Sequence, residues 1–170
     1  MDRLILSGAM ASVPQVMAGF DRLFATMPNG WGDQIHRLEK AGKTGTPEYA
    51  ALVQAFYDKH VLRVPPTPEA LATLASLSMS PAYRVLNGPN EFTITGRIRD
   101  WDRRKDLRAI TQKTLITTGE FDEITLDCHE TLRDGIAGAT HLAVMTGCSH
   151  LTMNEQPEQY NHLLRDFMNI

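Results

Sequence analysis

The sequence predicts an α/β fold: three parallel strands, with a long helical insertion after the first. Three observations carry this. Short apolar runs at Leu4–Leu6, Thr114–Thr118 and His141–Thr146 each run into a glycine. Helical periodicity fills the space between the first two runs and follows each of the others. Strands that alternate with helices imply a parallel sheet with right-handed crossovers.

In order, Leu4-Ile5-Leu6-Ser7-Gly8 reads as a buried strand with almost nothing before it. Val16, Phe20, Leu23, Phe24 and Met27 then fall at helical spacing, and Pro28-Asn29-Gly30 stops the run. Ile35 and Leu38 mark a short helix ending near Ala41-Gly42. Thr46-Pro47-Glu48 is a helix start: a capping hydroxyl, a proline in the first turn, and an acid near the positive end of the dipole. Tyr49, Leu52, Val53, Phe56, His60 and Val61 form its apolar stripe. Thr67-Pro68-Glu69 repeats the signal before Leu71, Leu74 and Leu77. Asn87-Gly88-Pro89-Asn90 is turn chemistry, and Glu91–Gly96 is open between loop and short strand. Thr125 is placed to cap a helix through about Gly135. Pro157 starts a last helix with the stripe Tyr160, Leu163, Leu164 and Phe167. The expected division is a core of residues 1–12 and 100–170 and a helical cap of residues 13–99.

Composition narrows the function. With 42% hydrophobic and 22% charged residues, the 170-residue chain has the balance of one soluble globular domain. The net charge is -3, and the basic cluster Arg97, Arg99, Arg103, Arg104, Lys105 is interrupted by Asp100, Asp102 and Asp106, so it reads as a solvated face and no nucleic-acid partner is expected. No apolar run approaches the roughly 20 residues of a membrane span, and the first residues are too short for a signal peptide. The two cysteines, Cys128 and Cys148, fit free thiols in a reducing cytoplasm. The six histidines show no metal-ligand spacing, so neither metal nor other cofactor is expected.

The chemistry gathers at two strand ends. Asp122 lies in Gly119-Glu120-Phe121-Asp122-Glu123. His150 lies 28 positions later in Gly147-Cys148-Ser149-His150. Open α/β sheets keep their sites at such ends. An imidazole works as a general base when a partner fixes its tautomer and steadies the imidazolium, and a carboxylate on the adjacent loop does both. On residues alone, Asp122 serves equally as a helix or turn cap, and the plain alternative for His150 is a helix-start or core histidine. Together, acid then histidine in chain order match the last two members of an α/β-hydrolase triad.

These segments, with Gly88-Pro89-Asn90-Glu91-Phe92 and Asp100-Trp101-Asp102, resemble the proline iminopeptidases, serine aminopeptidases of the α/β-hydrolase fold. The likeness covers nearly the whole chain, and the helical insertion looks like the family's cap. It implies a fold: the C-terminal portion of an α/β hydrolase, with its last three parallel strands and a cap inserted after the first of them. It implies roles too. Asp122 and His150 would be the triad acid and base, and Glu91 and Glu123 the pair that holds the substrate's free amino group. On residues alone, Glu91 reads as a turn cap and Glu123 as a helix-dipole partner. Phe92 and Trp101 are candidate pocket residues. The implied partners are short peptides or amino-acid amides with a free amino terminus.

One departure is large. No Gly-x-Ser-x-Gly and no His-Gly-Gly occurs in the sequence. Gly147-Cys148-Ser149-His150-Leu151 lacks the final glycine, and Ser149 is adjacent to its own base. The chain therefore reads as the C-terminal half to two-thirds of a hydrolase, inactive by itself, its first strand presenting a free edge to a separate N-terminal half or to a second copy. A non-catalytic amine-binding remnant is the alternative. An esterase or epoxide hydrolase is disfavoured, since a neutral substrate has no use for two extra acids.

Overall fold

The structure, a computed structural model, describes residues 2–169, without the side chains of residues 70, 74, 75 and 77–79. Its sheet has three parallel strands in the order β1 (Arg3–Ser7), β2 (Lys113–Gly119), β3 (Thr140–Met145). Register runs from Arg3 opposite Lys113 to Ser7 opposite Thr117, and from Thr114 opposite Thr140 to Gly119 opposite Met145. β2 is central and, after the exposed Lys113, buried to its end, as its run of apolar and threonine side chains demands. β1 forms one edge of the sheet and is half-buried, although its apolar run reads as a buried strand. Ser7 Oγ accepts from Thr117 Oγ1 at 2.9 Å and lies 2.6 Å from Tyr160 Oη, which ties both strands to the last helix.

Between β1 and β2 lie α1 (Val13–Thr26), α2 (Trp31–Lys40), α3 (Pro47–His60), α4 (Pro68–Met79) and the short α5 (Pro81–Leu86), which the periodicity did not reveal. Ser12 caps α1 and Thr46 caps α3, each with its side-chain oxygen. Asn29 and Gly30, both at positive φ, turn the chain between α1 and α2. The side chains of Leu74 and Leu77 lie outside what the structure describes. Leu71 is 53% exposed and lines a cavity, so it is no core position. Glu91–Gly96 contains no strand, which resolves the ambiguity at that segment. After β2 comes α6 (Leu126–Gly135), and after β3 come α7 (Thr152–Glu155) and α8 (Pro157–Met168). Thr125 precedes α6 as expected but makes no cap bond. Its hydroxyl donates to Asp127 Oδ1 at 2.6 Å instead.

Two buried clusters hold the chain together. One is aromatic: Phe20, Phe24, Trp31, Phe56 and Phe92 meet with ring centroids 4.9 to 6.4 Å apart. Ile124 and Cys128 join it, so the helical segment packs directly on the loop that follows β2. The other lies against the sheet, around Ile116, Leu107, Leu132 and Ile136. Among the described residues no helix is long and apolar enough to cross a membrane.

Candidate active site

The site forms where all three strands end. β2 delivers Asp122 and Glu123 on the loop after Gly119, and β3 delivers His150 on the loop after Met145. The two loops lie against each other: the Phe121 amide donates to the Cys148 carbonyl at 2.9 Å, and the Glu120 amide to the Met145 carbonyl at 3.1 Å. Gly119 permits that approach, because a Cβ there would sit 2.2 Å from the Ser149 carbonyl oxygen. Gly8, just past β1 with φ +53°, gives the same clearance to the imidazole. A Cβ at Gly8 would stand 2.6 Å from Cε1 of His150.

His150 Nδ1 and Asp122 Oδ1 are 2.9 Å apart. Asp122 is buried and fully engaged. Oδ1 also accepts from the Ile124 amide at 2.9 Å, and Oδ2 accepts from Thr118 Oγ1 at 2.9 Å. Burial alone would raise the Asp122 pKa. The His150 hydrogen bond and charge, with the Ile124 amide, outweigh burial and hold it below the usual carboxylate value. His150 is the converse. Burial pulls its pKa down, but the Asp122 bond and the charges of Asp122, Glu123 and Glu91 push it up to about 9. With Nδ1 committed to the carboxylate, Nε2 is the nitrogen left to exchange protons.

Glu123 is 3% exposed, and its Oε2 has no hydrogen-bond partner among the described residues. Burial, opposed by the His150 charge and reinforced by Glu91 and Asp122, pushes its pKa up to about 8. Glu91, in the turn after α5, lies near enough for its charge to act on both Glu123 and His150. Its amide donates to Tyr57 Oη at 3.3 Å. The turn is set by Asn90, whose Oδ1 accepts from the amides of Phe92 and Thr93 at 3.1 and 2.8 Å. Burial and the adjacent Glu91 and Glu123 charges keep the Tyr57 and Tyr83 hydroxyls protonated well above their ordinary range.

Beside Glu91 opens a cavity of about 550 Å³ whose walls include Tyr57, Val61, Leu62, Pro65, Tyr83 and Pro89. Asp122, His150, Glu123 and Glu91 are thus brought to one place. Phe92 and Trp101 are not in the walls of this cavity. Phe92 is 6% exposed, packed in the aromatic cluster. Trp101 is 42% exposed, and its carbonyl accepts from the Val13 amide at the start of α1. Ser149 is fully buried, with its hydroxyl and amide both donating to Glu155. Among the described residues no group of His, Cys, Asp and Glu could hold a metal ion.

Two histidines escaped the sequence reading as site residues. His129, on α6, is fully buried, and burial lowers its pKa, so it stands neutral near Asp122. His60, at the end of α3, was assigned only to an apolar stripe. It touches both loops of the site, and nothing in its stripe position signalled that.

The three-stranded parallel sheet with its helices matches the C-terminal part of solved α/β hydrolases. The crystal structure of VinJ superimposes with a TM-score of 0.92 at 30% identity, covering 98% of this chain and 57% of that one. The crystal structure of the proline iminopeptidase of Mycobacterium smegmatis gives 0.89 at 31% identity, covering 98% and 56%. No family model matches the sequence. The chain is a homologue of the proline iminopeptidases: it is 41% identical over 166 residues to that of Thermoplasma volcanium, covering 97% of this chain. It spans 56% of that relative's length, as roughly the C-terminal half.

Proposed function

We propose that this chain supplies the acid, the base and the amine-binding carboxylates of a proline iminopeptidase-like serine aminopeptidase. The observation that carries this is an unpartnered acid beside the acid–base pair: Glu123 Oε2 is buried without a donor among the described residues, next to His150, with Glu91 a second acid nearby. A buried carboxylate with no partner is costly unless a ligand completes it. The ammonium of a free amino terminus fits between Glu91 and Glu123. The apolar cavity beside Glu91 suits a compact side chain such as proline. A neutral ester would leave both glutamates uncompensated.

The nucleophile is not among these 170 residues, so the catalytic unit we propose draws a serine from outside them. In that unit the serine hydroxyl gives its proton to Nε2 of His150 in its neutral form, the form that gains population as pH approaches 9, as the serine oxygen bonds the first carbonyl carbon. Asp122 steadies the imidazolium. His150 then passes the proton to the leaving amine as the peptide bond breaks. Water, activated by the same nitrogen, releases the amino acid. Because the amino terminus is anchored beside the reacting carbonyl, only the first peptide bond is cut.

Calorimetric titration of the chain with prolinamide and with N-acetylprolinamide tests this. Prolinamide should bind, and acetylation, Glu91→Gln or Glu123→Gln should each weaken binding about tenfold or more, as expected for a lost charge-assisted bond. Equal binding of the acetylated ligand sinks the amine site. On a proline arylamide the chain alone should show no turnover. Turnover blocked by a serine-directed inhibitor would mean that the nucleophile lies within it.

A further inference from the structure

The acid loop and the base loop are joined by a third element. α3 ends at His60, whose backbone carbonyl is one of the helix's last oxygens and has no partner within it. That one oxygen accepts from the amide of Glu123 and from the amide of His150, both at 3.2 Å. The next carbonyl, Val61, accepts from the Leu151 amide at 3.0 Å. The His60 side chain adds a fourth tie, with Nδ1 2.8 Å from the Phe121 carbonyl. A carbonyl only accepts, so Nδ1 carries the proton. Nε2 is buried without a partner among the described residues, and the ring lies 4.9 Å from that of Phe56. Burial lowers the His60 pKa, so the ring is neutral at physiological pH.

We propose that His60 is a positioning residue: its Nδ1–H keys the end of α3 to Phe121, and its carbonyl then holds the Asp122 loop and the His150 loop at the spacing the acid–base pair requires. This rests on the proposed pairing of Asp122 with His150. The charged groups around His60 are Lys59 on its own helix, Arg63 just beyond it, and Asp122 on the facing loop. Around His150 they are Asp122, Glu123 and Glu91, with neutral His129 behind.

The test is an NMR titration of the His150 imidazole in the 170-residue chain, as wild type, His60→Asn and His60→Leu. Asparagine places an N–H donor near the Nδ1 position; leucine fills the volume without one. Wild type and His60→Asn should titrate alike, well above the ordinary value of about 6.5. His60→Leu should titrate at least about one pH unit lower, because Asp122 no longer sits squarely on Nδ1. A folded His60→Leu with an unchanged His150, or equal drops in both variants, overturns the proposal. Should His60→Leu fail to fold, amide exchange in the unmodified chain decides. The Glu123 and His150 amides share one acceptor and should be protected and exchange together; free exchange of either one overturns the proposal. An ordinary His150 titration in the unmodified chain would instead refute the acid–base pairing, with the shared acceptor still readable by exchange.

Discussion

Asp122 and Glu123 are adjacent, carry the same charged group and are equally buried, at 4% and 3% exposure, yet they behave as opposites. Asp122 meets His150 and the donors Thr118 Oγ1 and the Ile124 amide, and its pKa is depressed. Glu123 Oε2 meets no donor among the described residues, and its pKa rises to about 8. Burial therefore does not decide the charge of a buried acid; the supply of donors does. Asp122 is complete without substrate. Glu123 is incomplete, and that incompleteness is what makes it a candidate for binding a cation.

Removing the charge from the completed member should have the largest effect. Asp122→Asn keeps the shape but takes away the counter-charge, and its amide favours the wrong imidazole tautomer. His150, now near 9, should then titrate below about 7, leaving Glu123 and Glu91 as its remaining acids. In a reconstituted full-length enzyme the rate should fall about 10⁴-fold, by analogy with serine proteases. A His150 titration that Asp122→Asn does not move would show that the Nδ1 contact does not govern the imidazole.

The incomplete member should respond in the opposite sense. A folded-state pKa raised from 4.5 to about 8 means that Glu123 costs nothing below its unfolded value and becomes destabilising as pH rises to 8. Glu123→Gln should therefore match wild type in thermal stability near pH 4. It should be the more stable protein by more than about 1 kcal/mol at pH 8, with no further gain above that. The same change should cost prolinamide affinity, so one residue would exchange stability for binding. A variant less stable than wild type at pH 8 would mean that Glu123 has a partner in solution.

What the sequence revealed about this pair follows from what side chains can and cannot encode. The strand ends were legible because β2 must be apolar on both faces, and because Gly119 is demanded by a carbonyl 2.2 Å from where its Cβ would lie. The helix starts at Thr46 and Thr67 were legible because capping chemistry is local. The His60 clamp was not, because the acceptor is a backbone oxygen that any residue would supply. Phe92 follows Glu91 in sequence, but its place among Phe20, Phe24, Trp31 and Phe56 depends on segments far apart in the chain. Leu71 kept helical spacing yet faces a cavity, since periodicity marks a face without saying what covers it.

The finest difference between the two acids is a single hydroxyl. Thr118, 1% exposed on β2, donates to Asp122 Oδ2, and no such donor reaches Glu123 Oε2. Thr118→Val preserves the shape and deletes that donor. A buried hydrogen bond to a charged acceptor contributes about 1.5–3 kcal/mol, so the variant should be destabilised by about that much at pH 7. The depressed Asp122 pKa contributes stability above its unfolded value of 3.8, and this is lost as pH falls through the folded value. The gap between Thr118→Val and wild type should therefore narrow in acid, once Asp122 is protonated and the hydroxyl faces a neutral group. Denaturant unfolding at pH 7 and at the lowest pH where both proteins fold gives the answer. A gap that stays constant would place the threonine's contribution in packing, and the low Asp122 pKa would be the work of His150, His129 and the Ile124 amide.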